Sequence, residues 1–94
     1  MGRFRVQAIV ALRRSILDVQ GKTVEQALHA IGFPEIEQVR IGKYIEMVVT
    51  AASAQEAHAC AERACQRLLA NPVIEDYRIE HVEPLPEPAE EVQQ

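Results

Sequence analysis

The sequence predicts an α+β domain whose elements follow the order β-α-β-β-α-β, with one antiparallel sheet and both helices on one of its faces. Three observations lead to this fold class. Residues 3–12 alternate apolar with polar side chains, as a strand does. Two later stretches place apolar residues at helical spacing. The stretch between them, IEQVRIGKYIEMVVT, has the composition of two strands joined at Gly42.

The first predicted strand is RFRVQAIVAL. Its even-numbered residues from Phe4 to Leu12 are apolar and share one side of an extended chain. The odd-numbered residues begin with arginines and become apolar at Ile9 and Ala11. We therefore expect one buried face and a second face that is partly covered.

The first helix is predicted to start at Thr23. The preceding letters, LDVQGKT, end like a phosphate-binding P-loop, but Ile16 stands where that loop needs a glycine, so the pattern does not predict a nucleotide site. Thr23 followed by Gln26 instead fits a capping box, in which side chains satisfy free backbone N–H groups at a helix start. Gly32 and Pro34 should end the helix.

The second helix is predicted to start with a similar pair, Ser53 and Glu56. Its apolar stripe consists of Ala57, Cys60, Ala61, Ala64, Cys65, Leu68 and Leu69. The helix should end at Asn71 and Pro72, and VIEDYRIEHV supplies the last strand.

The predicted hairpin between the helices turns through three residues, 42–44. This loop length places Val39 opposite Met47 on one face of the sheet, whereas a two-residue loop would place it opposite Glu46. Lys43 would then lie at an exposed tip.

This element order normally gives the ferredoxin-like arrangement, with both helices on one face of the sheet. The other face is then bare. Its predicted apolar residues are Ile9, Ala11, Ile36 and Val48. Because such a stripe is usually covered, we expect a homo-oligomer, a dimer or tetramer, that associates through this face.

Charge is unevenly distributed along the chain. The last twelve residues, EPLPEPAEEVQQ, hold four of the 14 acidic residues, which leaves ten against ten Lys and Arg in residues 1–82. We interpret residues 1–82 as the folded domain and 83–94 as an acidic, proline-rich disordered tail. A neutral domain argues against nucleic acid as a partner, since phosphate contacts need uncompensated Lys and Arg.

No membrane span or signal pattern is apparent, so we expect a cytoplasmic protein.

The titratable residues do not form a recognisable catalytic or metal site. The three histidines, at positions 29, 58 and 81, are not spaced as metal ligands. Cys60 and Cys65 are interpreted as free core thiols. Ser15 has no neighbouring histidine. We therefore expect no catalytic residue and no metal, which favours a binding or assembly module.

Three loops nevertheless carry more specific chemistry than short connections need: RRSILDVQGK, VRIGKYIE and LLANPVIEDYRIE. Solvated turns and helix ends would explain each of them separately. Together the segments LDVQGKTVEQALHAIGF, VRIGKYIEM and CQRLLANPVIEDYRIE resemble, in order and spacing, the PurS family, the small subunit of phosphoribosylformylglycinamidine synthase. The resemblance covers about residues 4–83. Val19 departs from the proline that the family commonly has there.

The resemblance implies a subunit without catalytic residues or a cofactor of its own. In such complexes a PurL synthetase subunit uses ATP and magnesium to activate the substrate amide, and a PurQ glutaminase subunit releases ammonia. The small subunit is implied to bridge the two, as dimers that pair further into tetramers.

The candidate partner-binding residues follow from predicted exposure and position in the three motifs. They are Arg13, Arg14, Asp18, Gln20, Gly21, Arg40, Lys43, Asn71, Pro72 and Glu75.

Two other functions share this fold class. A dimeric regulatory domain that senses small molecules is possible, because β-α-β-β-α-β domains often bind amino acids at a dimer interface and the loop at Gly21 could serve. A single-strand RNA-binding module is less well supported, because the four aromatic residues are scattered rather than displayed on the sheet.

Overall fold

The structure, a computed structural model, describes residues 1–86 of the chain. It contains three strands, β1 (Gly2–Leu12), β2 (Lys43–Ala51) and β3 (Glu75–Pro84). Two α-helices, α1 (Val19–Ala30) and α2 (Ala54–Ala64), separate them, and a π-helical turn (Cys65–Leu69) extends α2. The α+β class and the antiparallel sheet predicted from the sequence are confirmed, with one strand fewer in the described part.

The sheet has the order β2-β1-β3, with both outer strands antiparallel to β1. Val6 lies opposite Met47 of β2 and Val82 of β3. The pairing of β1 with β3 contains a bulge: Gln7 lies opposite His81 and Ala8 lies opposite Ile79, so Glu80 of β3 has no partner residue on β1. The central position of β1 explains why its sequence is apolar on both sides toward its end.

The core lies between the sheet and α2. Val6, Ala8 and Val10 of β1 are fully buried, which confirms the predicted inward face, and Val6 packs in one cluster with Ala57 and Ala61 of α2. Alanines on the helix let its backbone approach the sheet closely, so a chain of this length can still exclude water from the core.

The N-terminus of α2 is capped as predicted, because the Ser53 hydroxyl accepts the Glu56 N–H at 3.2 Å. The apolar stripe is only partly confirmed. Ala70 N donates to Cys65 O at 3.0 Å, a π-type bond that adds one residue to the turn and rotates the stripe. Leu68 is consequently 81% exposed rather than buried.

The predicted strand over residues 36–41 is wrong, and so is the hairpin loop at 42–44. Two carboxylates of the α1 region take the backbone donors that a neighbouring strand would need. Val39 N donates to Glu25 Oε1 at 3.3 Å, and Ile41 N donates to Asp18 Oδ2 at 2.7 Å. Lys43 is therefore not at a tip but begins β2, opposite Val10.

The position of α1 differs from the prediction as well. Among the described elements, α2 makes the extensive helix contacts with the three strands, whereas α1 lies against residues 36–41. The molecule measures 51 × 32 × 18 Å. The predicted Thr23 cap is wrong, since Asp18 is the N-cap and Thr23 Oγ1 donates to Val19 O within the helix. The predicted end of the helix is confirmed, with Gly32 at φ 109° just beyond it.

The face of the sheet opposite α2, called here the outer face, carries three of the four predicted apolar residues: Ile9, Ala11 and Val48. Ile36 is not in the sheet, because the segment that holds it runs along α1. Charged pairs share the outer face, including Arg5 and Glu83 at 3.3 Å.

At the C-terminal side, β3 continues to Pro84, two residues past the predicted domain boundary, and Leu85 N donates to Arg3 O at 2.8 Å. The rest of the predicted disordered tail, residues 87–94, lies outside the described residues. Within residues 1–86, none of the helices has the length and apolar character needed to cross a bilayer.

Candidate functional site

The three loops singled out in the sequence meet at one end of the sheet. There β1 ends at Leu12, opposite the first residue of β3, Glu75, and Val10 lies opposite the first residue of β2, Lys43. Since both outer strands begin where β1 ends, the loop after β1 and the segments before β2 and β3 become neighbours. All ten candidate residues lie at this end, called here the loop end.

Arg13 joins the first loop to the segment before β3. Its backbone N–H donates to Ile74 O at 2.8 Å, and its guanidinium donates to Pro72 O at 2.5 Å. Its Nε also lies 3.4 Å from Asp76 Oδ1. Arg13 and Pro72 were predicted as partner contacts, and the structure places them against each other.

Asn71 and Glu75 shape the segment before β3. Asn71 N donates to Glu75 Oε1 at 2.7 Å, and Glu75 N donates to Asn71 O at the same distance. Asn71 Oδ1 also accepts the N–H of Val73 at 3.0 Å, an Asx-type turn that leaves Val73 76% exposed.

The Glu75 carboxylate also lies 3.7 Å from Lys43 Nζ, so an ion pair spans the sheet from β3 to β2 across β1. Because the Lys43 side chain is 57% exposed, the pair contributes little to stability and leaves the lysine accessible.

Asp18 is the buried polar residue of the loop end, at 5% exposure. Its Oδ1 accepts the N–H of Gly21 at 2.8 Å and its Oδ2 accepts that of Ile41 at 2.7 Å. These bonds, with the nearby Arg40 charge, lower the pKa of Asp18, whereas burial alone would raise it. Asp18 is therefore an ionised group that holds α1 to the segment before β2.

Gly21 is buried beside Asp18 and has a steric role. A Cβ at this position would collide with Val39 O and come within 2.9 Å of Asp18 Oδ2. Only glycine lets the two segments approach this closely. The contact role predicted for Asp18 and Gly21 stays a prediction, and the geometry gives both residues a positioning role.

Arg40, in the segment before β2, reaches the carbonyl groups at the end of β1. Its guanidinium donates to Leu12 O at 3.3 Å and to Arg13 O at 2.9 Å, so it satisfies carbonyls at the end of β1. Arg14, which lines a cleft with Arg40, is exposed, and so is Gln20 in the first turn of α1.

A cleft of about 400 Å³ lies between α1 and the segment before β2. Its charged lining comprises three cations, Arg14, Lys22 and Arg40, and three carboxylates, Asp18, Glu25 and Glu37. The opposite charges balance, so the cleft has no net positive charge with which to attract a polyphosphate.

Sequence reasoning missed the exposed apolar residues at the loop end. Leu17, Val19 and Val73 are 71%, 68% and 76% exposed. Leu17 and Val19 line a second cleft of about 440 Å³ together with Lys43 and Glu75. Large apolar side chains in and beside the loops were the available signal, because exposed apolar groups that lie together often mark a protein interaction site.

The geometry offers shape and charge rather than reactive groups. No three His, Cys, Asp or Glu side chains within residues 1–86 cluster closely enough to hold a metal ion. Burial raises the pKa of the Cys65 thiol, which disfavours a nucleophilic thiolate. His29 Nε2 lies 2.6 Å from Ile36 O and joins α1 to the following segment.

Comparison with known proteins places this geometry in a family. The family model of PurS, phosphoribosylformylglycinamidine (FGAM) synthase, matches residues 5–83. The chain is 43% identical over 77 residues to the phosphoribosylformylglycinamidine synthase subunit PurS of Bacillus subtilis, which covers 82% of this chain and 90% of the relative.

Two solved structures share the fold. A PurS structure from Thermus thermophilus matches with a TM-score of 0.81 at 40% identity. The match covers 89% of this chain and 99% of the Thermus thermophilus chain. A chain in a structure of PurLQS from Thermotoga maritima matches with a TM-score of 0.77 at 32% identity. The match covers 90% of this chain and 100% of that chain. These findings support the resemblance seen in the sequence and lend no support to the small-molecule-sensing alternative.

Proposed function

Because this chain belongs to the PurS family of FGAM synthase subunits, we propose that it is the non-catalytic small subunit of that synthase in purine biosynthesis. It holds the PurL synthetase subunit and the PurQ glutaminase subunit together, so that ammonia released from glutamine reaches the activated formylglycinamide ribonucleotide. ATP and magnesium are used by the synthetase subunit, and this chain binds no cofactor. The complex works in the cytoplasm.

The observation that carries the proposal is the likeness to a chain of the PurLQS structure over 90% of the present chain. The loop end gives this role a physical basis. Three loops are fixed to one another by backbone hydrogen bonds and by the buried Asp18 carboxylate, which makes them a preorganised surface. Exposed charges such as Lys43 would set orientation and partner choice around the apolar residues.

Reconstitution tests the role directly. Purified synthetase and glutaminase subunits, supplied with glutamine, ATP, magnesium and formylglycinamide ribonucleotide, should form product from glutamine only when this chain is added. The chain alone should neither hydrolyse glutamine nor consume ATP. Full glutamine-dependent activity without the chain, or enzyme-like turnover by the chain alone, would contradict the proposal.

Self-association through the outer face of the sheet is the second part of the proposal. Ile9 and Ala11 lie on the central strand of that face, and Val48 on β2 is 49% exposed. An Ile9→Arg variant would place a charge in the middle of this face without touching the core. The variant should sediment as a smaller particle than the wild type, and an unchanged particle size would exclude the outer face as an interface.

A further inference from the structure

We propose that residues 87–94, the acidic end of the chain, bind a groove between α2 and the end of β2, with Glu90 and Glu91 against Arg63 and Arg67. This groove, called here the α2 groove, has a volume of about 300 Å³. The acidic segment lies outside residues 5–83, which match the family, and the contact does not depend on the synthase role.

The α2 groove combines small apolar side chains with a cation. The end of β2 forms one side and α2 the other, with Thr50, Ala51, Ala59, Cys60 and Arg63 in the lining. Glu56 lines the groove nearer the start of α2, so added carboxylates should settle toward Arg63. The groove therefore suits a segment in which glutamates stand next to a small apolar residue, as Glu91 and Val92 do.

Arg63 and Arg67 lack a counter-ion within residues 1–86. They lie one turn apart and exposed, on α2 and its π-type extension, where like charges repel. The adjacent carboxylate, that of Glu62, lies 3.8 Å from His58 instead. Four other cations in this part of the chain each have a carboxylate partner: Arg5, Arg13, Lys43 and Arg78. An acidic segment at α2 would relieve the repulsion.

The point where the chain leaves the sheet puts the groove within reach. Leu85 N donates to Arg3 O at 2.8 Å, and Thr50 lies opposite Arg3 on the other side of β1. Two strand spacings, roughly 10 Å, thus separate Leu85 from the β2 side of the groove. The segment 87–94 can span up to about 26 Å when it is extended, so its glutamates can reach α2.

Other exposed cations are less accessible to this segment. Arg14 and Lys22 belong to the loop end, and the length of β1 from Arg3 to Leu12, roughly 30 Å, lies between that end and Leu85. Prolines at positions 84, 86 and 88 lack the N–H that further pairing in a sheet would use. Chain length and charge therefore both favour the α2 groove.

Alkylation of Cys60 on the full chain tests the contact, because a bound segment would cover this thiol. Iodoacetamide is applied to the folded protein, and mass mapping of the peptides separates Cys60 from the buried Cys65. We expect Glu90→Lys with Glu91→Lys to raise the Cys60 rate about threefold. Sodium chloride at about 0.5 M should raise the wild-type rate similarly, because it screens exposed ion pairs.

A charge exchange tests the partners. Arg63→Glu with Arg67→Glu should raise the Cys60 rate to the same extent, and combining these changes with the reversed glutamates should restore the wild-type rate. Glu35→Lys with Glu80→Lys reverses two exposed carboxylates that do not line the groove. This control matches the change in net charge and should leave the rate unaltered. The variants at positions 90 and 91 leave residues 1–86 intact, so they report on the contact without altering the core.

Four results would overturn the proposal. They are an unchanged Cys60 rate in the reversed glutamates, an equal rise in the control, failure of the combined variant to restore the rate, and protection seen only with the synthetase or glutaminase subunit present. A rate difference that disappears on dilution would also overturn it, because the occupant would then be the acidic segment of a second copy. None of these results bears on glutamine-dependent synthesis, so the proposed function is tested independently.

Discussion

The carboxylate of Asp18 accepts the backbone N–H of Ile41 at 2.7 Å and thereby joins the start of α1 to the segment that leads into β2. The same carboxylate caps the helix through Gly21 N. Together with the Glu25 carboxylate, which accepts the N–H of Val39 at 3.3 Å, Asp18 holds residues 36–41 against α1, so that they do not form a strand. The shape of the loop end depends on this contact.

Replacing Asp18 with Asn tests this contact, because the amide nitrogen of Asn cannot accept a hydrogen bond. One of the two N–H groups then loses its acceptor. We expect the melting temperature to fall by roughly 5 °C and the amide of either Gly21 or Ile41 to exchange faster. Thermal unfolding and hydrogen exchange measure the two effects, and unchanged protection of both amides would contradict the assigned role.

The pH dependence of stability gives a second test of Asp18. The lowered pKa means that the folded state binds a proton less tightly than the unfolded chain. The stabilisation by Asp18 should therefore be complete above the ordinary carboxyl pKa of about 4 and decline as pH falls through the lowered value. In urea titrations across acid pH, Asp18→Asn should show a shallower loss of stability than the wild type. Parallel curves would argue against an ionised, bonded carboxylate.

Whether replacing Gly21 with Ala stabilises or destabilises the fold depends on how closely the neighbouring segment packs against it. In an open helix, Gly→Ala stabilises by about 1 kcal/mol. Here the added Cβ would collide with Val39 O, so we expect Gly21→Ala to destabilise the chain and displace the segment before β2. Denaturant unfolding measures the change, with Gln20→Ala as an exposed helical control. Stabilisation by Gly21→Ala would show that the segments are not in close contact.

The two residues predicted as helix caps should behave differently. Ser53→Ala removes an observed cap and should cost about 1 kcal/mol. Thr23 lies inside α1, where its hydroxyl donates to Val19 O, so Thr23→Ala should change stability by no more than about 0.5 kcal/mol. Equal losses in calorimetry would favour the Thr23 cap that the sequence suggested.

Partner binding should be sensitive to Arg40 and Lys43. Lys43→Ala removes an exposed charge and should preserve the melting temperature. We expect recovery of the complex with the synthetase and glutaminase subunits to weaken about three- to tenfold for Lys43→Ala and Arg40→Ala. Affinity capture of the two larger chains measures recovery.

Arg63→Ala, an exposed cation on α2, is the matched control. Equal recovery from the Arg40 and Lys43 variants and from this control would remove both residues from the candidate site.

The elements that local pattern specifies were predictable. The inward face of β1 follows from alternation, since residues two apart in a strand share a side, and Val6, Ala8 and Val10 are indeed buried. The Ser53 cap follows from the local sequence, because Ser53 stands just before the helical stripe and is followed three residues later by Glu56, whose N–H its hydroxyl accepts. The site residues could be chosen by motif, and their convergence follows from the antiparallel order of the strands.

The tertiary structure alone decided the course of residues 36–41, because groups distant in the chain compete for the backbone N–H groups of this segment. Residues 36–41 have strand-like side chains, but a strand needs free backbone donors, and the carboxylates of Asp18 and Glu25 take them from 23 and 14 residues away in the chain. The π-type turn at Cys65 likewise rotates Leu68 out of the core. Local periodicity determines which face of a segment is apolar, and long-range hydrogen bonds determine which neighbour that segment meets.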